Sequence, residues 1–362
     1  MGACVSSINR PRKYSEVLSE SEQEKTIQAA VRRPVKILLL GSSGSGKTTI
    51  FKQMRLVHYG PFTRQETESY RQLIYLNITD GLHAGISRMN ASGFSVTEEN
   101  RELLRTVAEY GHDLKDDEPF LTEYRHPIEW LWKDPNVQAM YANGNQAGLP
   151  ENLSYFCQNL DRLFNRRFVP SNQDILHAHV RSTGIAKACF SLQPGRDLLL
   201  VDIGGSRSER RKWRHCADGA NAVVFMVNLA GYNQSLREDE DTNQMEDALD
   251  LWEQTCRAPW FRDTVFILLL NQNDVFEEKI MRSNIKDFFP DYKGPAGNAD
   301  AGRRYFKDRF RTIAREAFTA QNRQFYCHFT TATNTMNIRL AMAAVQVLSL
   351  QHASNPANPQ AL

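Results

Sequence analysis

The residues best equipped for chemistry lie near the start of the chain. Gly41-Ser42-Ser43-Gly44-Ser45-Gly46-Lys47-Thr48 satisfies the pattern G-x-x-x-x-G-K-[ST]. Glycines let backbone N–H groups curl around phosphate oxygens, and a following helix N-terminus adds a favourable dipole. Lys47 can reach the β and γ phosphates of a nucleotide, and the Thr48 hydroxyl can bind Mg²⁺. Ser43, Gly44, Ser45, Gly46, Lys47, Thr48 and Thr49 are therefore the candidate phosphate-binding residues. A Gly/Ser-rich turn is the bland alternative, and the flanking sequence speaks against it. Residues 35–40 form an apolar run ending in glycine, which reads as a buried strand, and residues 49–56 read as a helix.

Two further clusters complement the loop. Asp202-Ile203-Gly204-Gly205 closes a run of apolar residues. An aspartate at that point can hold a metal-bound water, and a glycine two or three residues on can offer its N–H to a γ-phosphate. Taken alone, Asp-x-Gly-Gly also suits a tight turn. Asn271-Gln272-Asn273-Asp274 follows another apolar strand. The Asp274 carboxylate can accept from the N1–H and amino group of guanine, a pattern that adenine does not offer. Thr330-Thr331-Ala332-Thr333 ends the last predicted strand and would bring the Ala332 N–H to the guanine oxygen.

These loops need a scaffold. Residues 197–203, 222–228, 265–271 and 325–330 read as strands, with helices over 242–256, 303–320 and 337–350. Strands alternating with helices imply an α/β fold with a mostly parallel sheet and helices on both faces. Residues 62–170 differ in texture. Helical periodicity recurs at 70–86, 98–110, 127–141 and 153–164 without convincing strands, which predicts an inserted all-helical domain. Residues 14–33 read as a helix stopped by Pro34, and prolines 356 and 359 predict a frayed tail.

Composition narrows the class. The chain has 362 residues, 41% hydrophobic and 24% charged, which is that of a soluble globular protein. A net charge of +2 gives no reason to expect nucleic acid as a partner. No apolar run approaches the ~18 residues needed to span a bilayer. The six cysteines have no metal-ligand spacing and read as reduced thiols. The chain opens Met1-Gly2-Ala3-Cys4-Val5-Ser6, which fits N-myristoylation at Gly2. One such chain anchors only marginally, so palmitate on Cys4 or the basic group Arg10, Arg12 and Lys13 would supply the second signal.

Together these stretches resemble the α subunits of heterotrimeric G proteins from end to end. The resemblance is carried by 36–56 (KILLLGSSGSGKTTIFKQMRL), 131–135 (LWKDP), 169–176 (VPSNQDIL), 202–216 (DIGGSRSERRKWRHC), 238–243 (EDEDTN), 270–280 (LNQNDVFEEKI) and 326–337 (YCHFTTATNTMN). It implies a phosphate-loop GTPase domain over 35–61 and 178–350, closed over by a helical domain over 62–177. A lipidated N-terminal helix over 1–34 precedes them and a tail over 351–362 follows. Switch I then falls at 177–185 and switch II at 204–213. Ser182 matches the second Mg²⁺ ligand beside Thr48, with Asp202 acting through water. Nucleotide contacts pass also to Ser154, Leu176, His177, Asn271 and Gln272. Gly205, Arg210 and Asp247 match a trio that locks switch II. The implied cofactors are Mg²⁺ and GTP or GDP. The implied partners are a βγ dimer, a seven-helix receptor, an effector and the cytoplasmic face of the plasma membrane.

The chain departs from the family where the chemistry happens. The family's arginine finger aligns with His179 and its water-orienting glutamine with Ser206. In switches of this kind that arginine has an established worth of about 10³–10⁵ in rate, which is roughly 4–7 kcal/mol of barrier. Histidine lacks the guanidinium fork, and serine is too short to orient the water. Ser43 stands where the family has glycine, and Gly44 where it has glutamate. Gln272 replaces the lysine whose stem covers the guanine face. The Pro-containing ending replaces the usual Gly-Leu and puts receptor coupling in question. These departures predict GTP binding with slow hydrolysis. A pseudo-GTPase interaction module is the alternative, ahead of an unrelated phosphate-loop kinase or ATPase.

Overall fold

The computed structural model describes residues 34–91, 93, 95–108, 114–142, 151–180, 184–193, 196–236, 239–318 and 325–353. The expected N-terminal helix, Gly2, Cys4, Ser182 and the end of the tail lie outside the described residues.

Eight strands are described: β1 (Val35–Gly41), β2 (Ile185–Gln193), β3 (Arg196–Ile203), β4 (Ala222–Asn228), β5 (Ser235–Leu236), β6 (Asp239–Asn243), β7 (Val265–Asn271) and β8 (Phe325–Phe329). Six of them form one sheet in the order β2-β3-β1-β4-β7-β8, and β5 pairs with β6 in a short ribbon. In the six-stranded sheet the pairs β1–β3, β1–β4, β4–β7 and β7–β8 are parallel and only β2 runs antiparallel to its neighbour. This is the α/β architecture expected.

Alternate side chains of a strand point to opposite faces, so the apolar runs feed two cores. Leu38, Leu40, Val223, Phe225 and Leu268 face one core, shared with residues of helices Gln244–Arg257 and Ala299–Phe318. Ile37, Leu39, Val224, Met226 and Ile267 face the other, with Ile50 and Met54 of helix Lys47–Tyr59 and Ile338, Met342 and Val345 of helix Thr335–Ala353. A third core lies within the helical region. Ile74, Tyr75 and Ile78 of helix Arg64–Ala91 meet Ile128, Leu131, Leu153 and Phe164 there. The Tyr75 and Phe120 rings lie 4.1 Å apart in it.

Several elements differ from expectation. The helix predicted over 127–141 is two, Arg125–Lys133 and Pro135–Ala142. Proline disfavours helical backbone at the residue before it, and Asp134 turns aside there. Its carboxylate accepts from Thr97 N–H and Oγ1 and from Asn100 Nδ2. The helix predicted over 153–164 is likewise two short pieces, Asn152–Cys157 and Leu160–Leu163. Strand β2 was not anticipated. Its residues alternate, Ala188 and Phe190 buried against Lys187 exposed, as an edge strand requires. The last helix runs on to Ala353, three residues into the expected tail.

Candidate functional site

In an open α/β sheet, ligands collect at the carboxyl ends of the strands. Here Gly41 pairs with Met226 and Asn228 with Asn271, so the loops after β1, β4 and β7 emerge along one rim. The loops after β3 and β8 join them. The rim therefore gathers residues 41–48, 202–205, 271–274 and 330–333.

The phosphate loop turns on glycine. Gly41, Gly44 and Gly46 adopt φ of +135°, +76° and +95°, which only glycine accepts readily. A Cβ on Gly46 would stand 2.2 Å from Asn271 Nδ2, so the loop is packed directly on β7. Asn271 is the stitch. Its Nδ2 donates to the Ser45 carbonyl at 3.0 Å. Its Oδ1 accepts from Ala332 N–H at 2.9 Å and from Thr330 Oγ1 at 3.1 Å. Phosphate loop and base loop are thus one hydrogen-bonded unit. Ala332 was expected to offer its N–H to a base; in this structure that N–H is taken by Asn271.

Gln272 follows in a left-handed conformation, φ +59°, and donates from Nε2 to the Gly44 carbonyl at 3.0 Å. Asp274, exposed on the first turn of helix Asn273–Ile280, accepts from Thr331 Oγ1 at 3.3 Å.

Lys47 was expected to reach outward to phosphates. Its ammonium instead turns back, donating to the carbonyls of Gly41 (2.9 Å) and Ser42 (2.7 Å). It is 4% exposed, and burial pushes it down to about 8. Gly205 rests on the same spot. A Cβ there would lie 2.2 Å from the Gly41 carbonyl and 2.6 Å from Lys47 Nζ. Glycine at this position is a close-approach requirement.

The donor set for a metal can be tested on the residues present. Thr48 Oγ1 donates to Asp202 Oδ2 at 2.8 Å, which places a hydroxyl and a carboxylate side by side beneath the loop. Asp202 is 4% exposed, and its Oδ1 is buried without a hydrogen-bond partner. Burial raises this carboxyl, opposed by Lys47 and the Thr48 bond. Two adjacent hard oxygens and an orphaned carboxylate oxygen suit Mg²⁺ with its retained waters.

The segment expected to be switch II, residues 204–213, is built as a bracket. Arg210 donates from Nε to the Gly205 carbonyl at 3.2 Å and from Nη1 to Asp247 Oδ1 at 3.0 Å. Trp213 Nε1 donates to the Gly204 carbonyl at 3.1 Å. Glu209 Oε2 accepts from Gly184 N–H at 2.6 Å and ties this bracket to the start of β2. Ser206 stands at the start of the short helix Arg207–Arg210 without a side-chain capping bond, its Oγ 3.2 Å from Ser208 Oγ.

The helical side contributes the segment leading to His179. Asp174, fully buried, accepts from Arg162 Nη2 (2.7 Å) and Tyr155 OH (2.9 Å). Its carboxylate also accepts from Ser171 N–H at 2.7 Å while its own N–H donates to Ser171 Oγ at 3.2 Å, which closes a capping box on helix Asn172–His177. His177 stacks on Tyr155 with centroids 3.8 Å apart. Burial pushes its imidazole down to about 4, against the pull of Asp274 and Asp174. Leu176 is buried, and Ser154 Oγ accepts from Gln158 Nε2 at 3.2 Å. Asn77 holds the His179 backbone, accepting from its N–H at 2.6 Å and donating to its carbonyl at 3.0 Å.

Two supports escaped the sequence reading. Lys52, 1% exposed, donates to the carbonyls of Ile175 (2.9 Å) and Ala178 (2.7 Å), and burial pushes it down to about 7. Gln53 Nε2 donates to the Ala332 carbonyl at 2.9 Å. Both project from helix Lys47–Tyr59, but no local pattern marks a lysine whose partners lie more than a hundred residues away.

Fold and rim together define a phosphate-loop nucleotide-binding protein with an inserted helical part. Comparison with known proteins makes the class specific. The family model described as "G-protein alpha subunit" matches residues 10–348. A guanine nucleotide-binding protein alpha-2 subunit of Mycosarcoma maydis is 41% identical over 352 residues, covering 95% of this chain and 96% of that one. The alpha-2 subunit of Neurospora crassa is 38% identical over 93% of this chain and 95% of its own length. The G(o) subunit alpha of Caenorhabditis elegans is 36% identical over 95% and 96%. The chain belongs to the G-protein α-subunit family.

Proposed function

We propose that this chain is a guanine-nucleotide switch: the α subunit of a heterotrimeric G protein that binds GTP with Mg²⁺ and hydrolyses it slowly. The observation that carries the binding half is the Asn271 stitch, which fastens Ser45 of the phosphate loop to Ala332 of the base loop. In this reading Lys47 exchanges the Gly41 and Ser42 carbonyls for phosphate oxygens. Thr48 and Asp202 hold Mg²⁺, with Ser182 as its further ligand. Bound Mg²⁺ would neutralise charge on the β and γ phosphates. Ser43, Gly44, Gly46 and Thr49 surround the phosphates, and Asp274 selects guanine. Gly205, tethered through Arg210 to Asp247, reports the outermost phosphate to switch II.

The slow half rests on side-chain chemistry. His179 offers no bidentate fork to a transferring phosphoryl group, and Ser206 cannot span to an attacking water. A pseudo-GTPase reading has its own support: the Lys47 ammonium and Gly205 both occupy the mouth of the loop. By family resemblance the partners are a βγ dimer, a seven-helix receptor and an effector. Acylation of Gly2 and Cys4 would hold the chain on the cytoplasmic face of the plasma membrane. No helix among the described residues is long and apolar enough to cross a membrane.

Equilibrium binding of fluorescent guanine and adenine nucleotides, with and without Mg²⁺, tests the proposal. Mg²⁺-dependent binding of guanine nucleotides alone is expected. No binding would favour the pseudo-GTPase, and equal binding of adenine nucleotides would remove Asp274 from its role.

A further inference from the structure

The functional reading leaves one cavity of the helical side without a use. It has a volume of about 440 Å³ and opens between the first turns of helix Arg64–Ala91, the loop that carries Asp117 and Phe120, and the turn at residues 165–170. Pockets that hold small organic ligands span roughly 300–1,000 Å³ and are mostly apolar, with a few convergent polar groups. Aromatic rings line this one. Phe120 is 3% exposed, with its ring centroid 5.8 Å from that of Phe168. Phe62 and Leu163 lie on the wall as well. Val169, on the turn, is 70% exposed, so apolar surface continues to the solvent at the cavity's edge.

The charges around the cavity are unequal. Four arginines and two carboxylates border it, a surplus of two positive charges. Two of the arginines are already engaged. Arg71, 5% exposed, donates from Nε to Glu68 Oε2 at 2.8 Å and from Nη2 to the Lys115 carbonyl at 3.1 Å. Arg64 faces Asp117 at 3.3 Å with both side chains largely in water, where such a pair contributes little. Arg166 and Arg167 are exposed and have no ion pair among the described residues. Their turn is held in place by Asn165. Its carbonyl accepts from Phe168 N–H at 2.9 Å, and its Oδ1 accepts from Arg167 N–H at 2.9 Å. The uncompensated cations thus sit together on one fixed edge of an aromatic-lined cavity. Guanidinium forks match the oxygens of acidic groups and stack on aromatic planes.

We infer that this cavity is a second ligand site, which takes a small organic anion with an aromatic body. The rings enclose the body, and Arg166 and Arg167 bind the acidic group. The site stands whether or not the rim of the sheet holds guanine nucleotide. The probes are anilinonaphthalene sulfonate and its uncharged counterpart N-phenyl-1-naphthylamine. Each is titrated by fluorescence against the full chain in excess GDP and Mg²⁺, which keeps the dyes off the nucleotide rim. Arg166→Gln with Arg167→Gln should weaken the sulfonate by about tenfold or more, as the loss of charge-assisted bonds does, and leave the uncharged dye within about twofold. The same double change at the exposed Arg101 and Arg105 should alter neither. Thr67→Trp, which fills the cavity, should weaken both dyes. Inorganic phosphate in excess should not displace the sulfonate, because it has no body for the rings to hold. Should Thr67→Trp fail to fold, the arginine changes still decide, since both side chains are exposed in the parent chain. No binding of the sulfonate to the parent chain overturns the site. So do equal losses for both dyes in the Arg166 and Arg167 variant, an equal loss from the Arg101 and Arg105 changes, displacement by phosphate alone, or undiminished binding to folded Thr67→Trp.

Discussion

Asn271 and Ser206 stand on the same rim and are built to opposite standards. Asn271 is 1% exposed and uses its whole amide on Ser45, Thr330 and Ala332. Ser206 is half-exposed at the start of a four-residue helix, with another serine hydroxyl as its contact. The same contrast separates Thr48 and Asp202 from His179. The frame proposed to hold a nucleotide is largely buried and cross-bonded at Asn271, Lys47, Thr48 and Asp202. In the reading proposed above, the positions that would accelerate hydrolysis are His179, which lacks a guanidinium fork, and Ser206, which is short. Selection on a switch can act on these two regions separately, because binding depends on the buried loops and turnover on side chains above them.

The contrast can be broken from the binding side first. Lys47→Ala removes the only cation within the phosphate loop and should weaken guanine-nucleotide binding by roughly 10³-fold, read by titration with fluorescent GDP. Asn271→Ala leaves the Ser45 carbonyl and the Ala332 N–H without their buried partners. It should cost about 3 kcal/mol of stability, seen as a lower Tm, and should loosen both loops together.

A pH experiment sharpens the picture of the helical side. His177 protonates near 6.5 when unfolded but only at about 4 in the folded chain, chiefly because it is buried. Above 6.5 both states are neutral there and its contribution to stability is constant. As pH falls from 6.5 to 4 the unfolded state takes the proton first, so stability declines across that window, by about 2–3 kcal/mol. His177→Phe keeps the stack on Tyr155 and should flatten that part of the profile in denaturant melts. The smallest effect is expected from Gln272→Ala. Losing one exposed bond to Gly44 should change GDP affinity only a few-fold, and a change as large as that of Lys47→Ala would mean Gln272 is part of the frame's core.

The frame was legible in the sequence because its signals are local. The glycine pattern of residues 41–48, the apolar runs of β1, β4 and β7, and the turns after them each fit in a short window. Asp202 was placed by the strand it ends. What was not legible depends on distant partners. Lys52 looks like any helix lysine until Ile175 and Ala178 come to it, and Glu151 meets Lys279 across 128 residues. Strand β2 escaped because an antiparallel edge alternates lysine and cysteine with its apolar residues. The break at Asp134 was written in Pro135, but helical periodicity on both sides masked it. The Ala332 N–H, expected on the base, also has a partner that no local pattern shows, the Asn271 side chain at 2.9 Å.

Under the proposed function, this chain keeps nucleotide binding and loses fast turnover. Single-turnover hydrolysis of radiolabelled GTP by the parent chain and by His179→Arg with Ser206→Gln, at matched nucleotide occupancy, addresses it most directly. The two substitutions restore a forked cation and a residue long enough to orient water. Hydrolysis should rise by about 10²-fold or more, with GDP affinity changed little. A parent chain that already hydrolyses GTP as fast as the double variant would contradict the account.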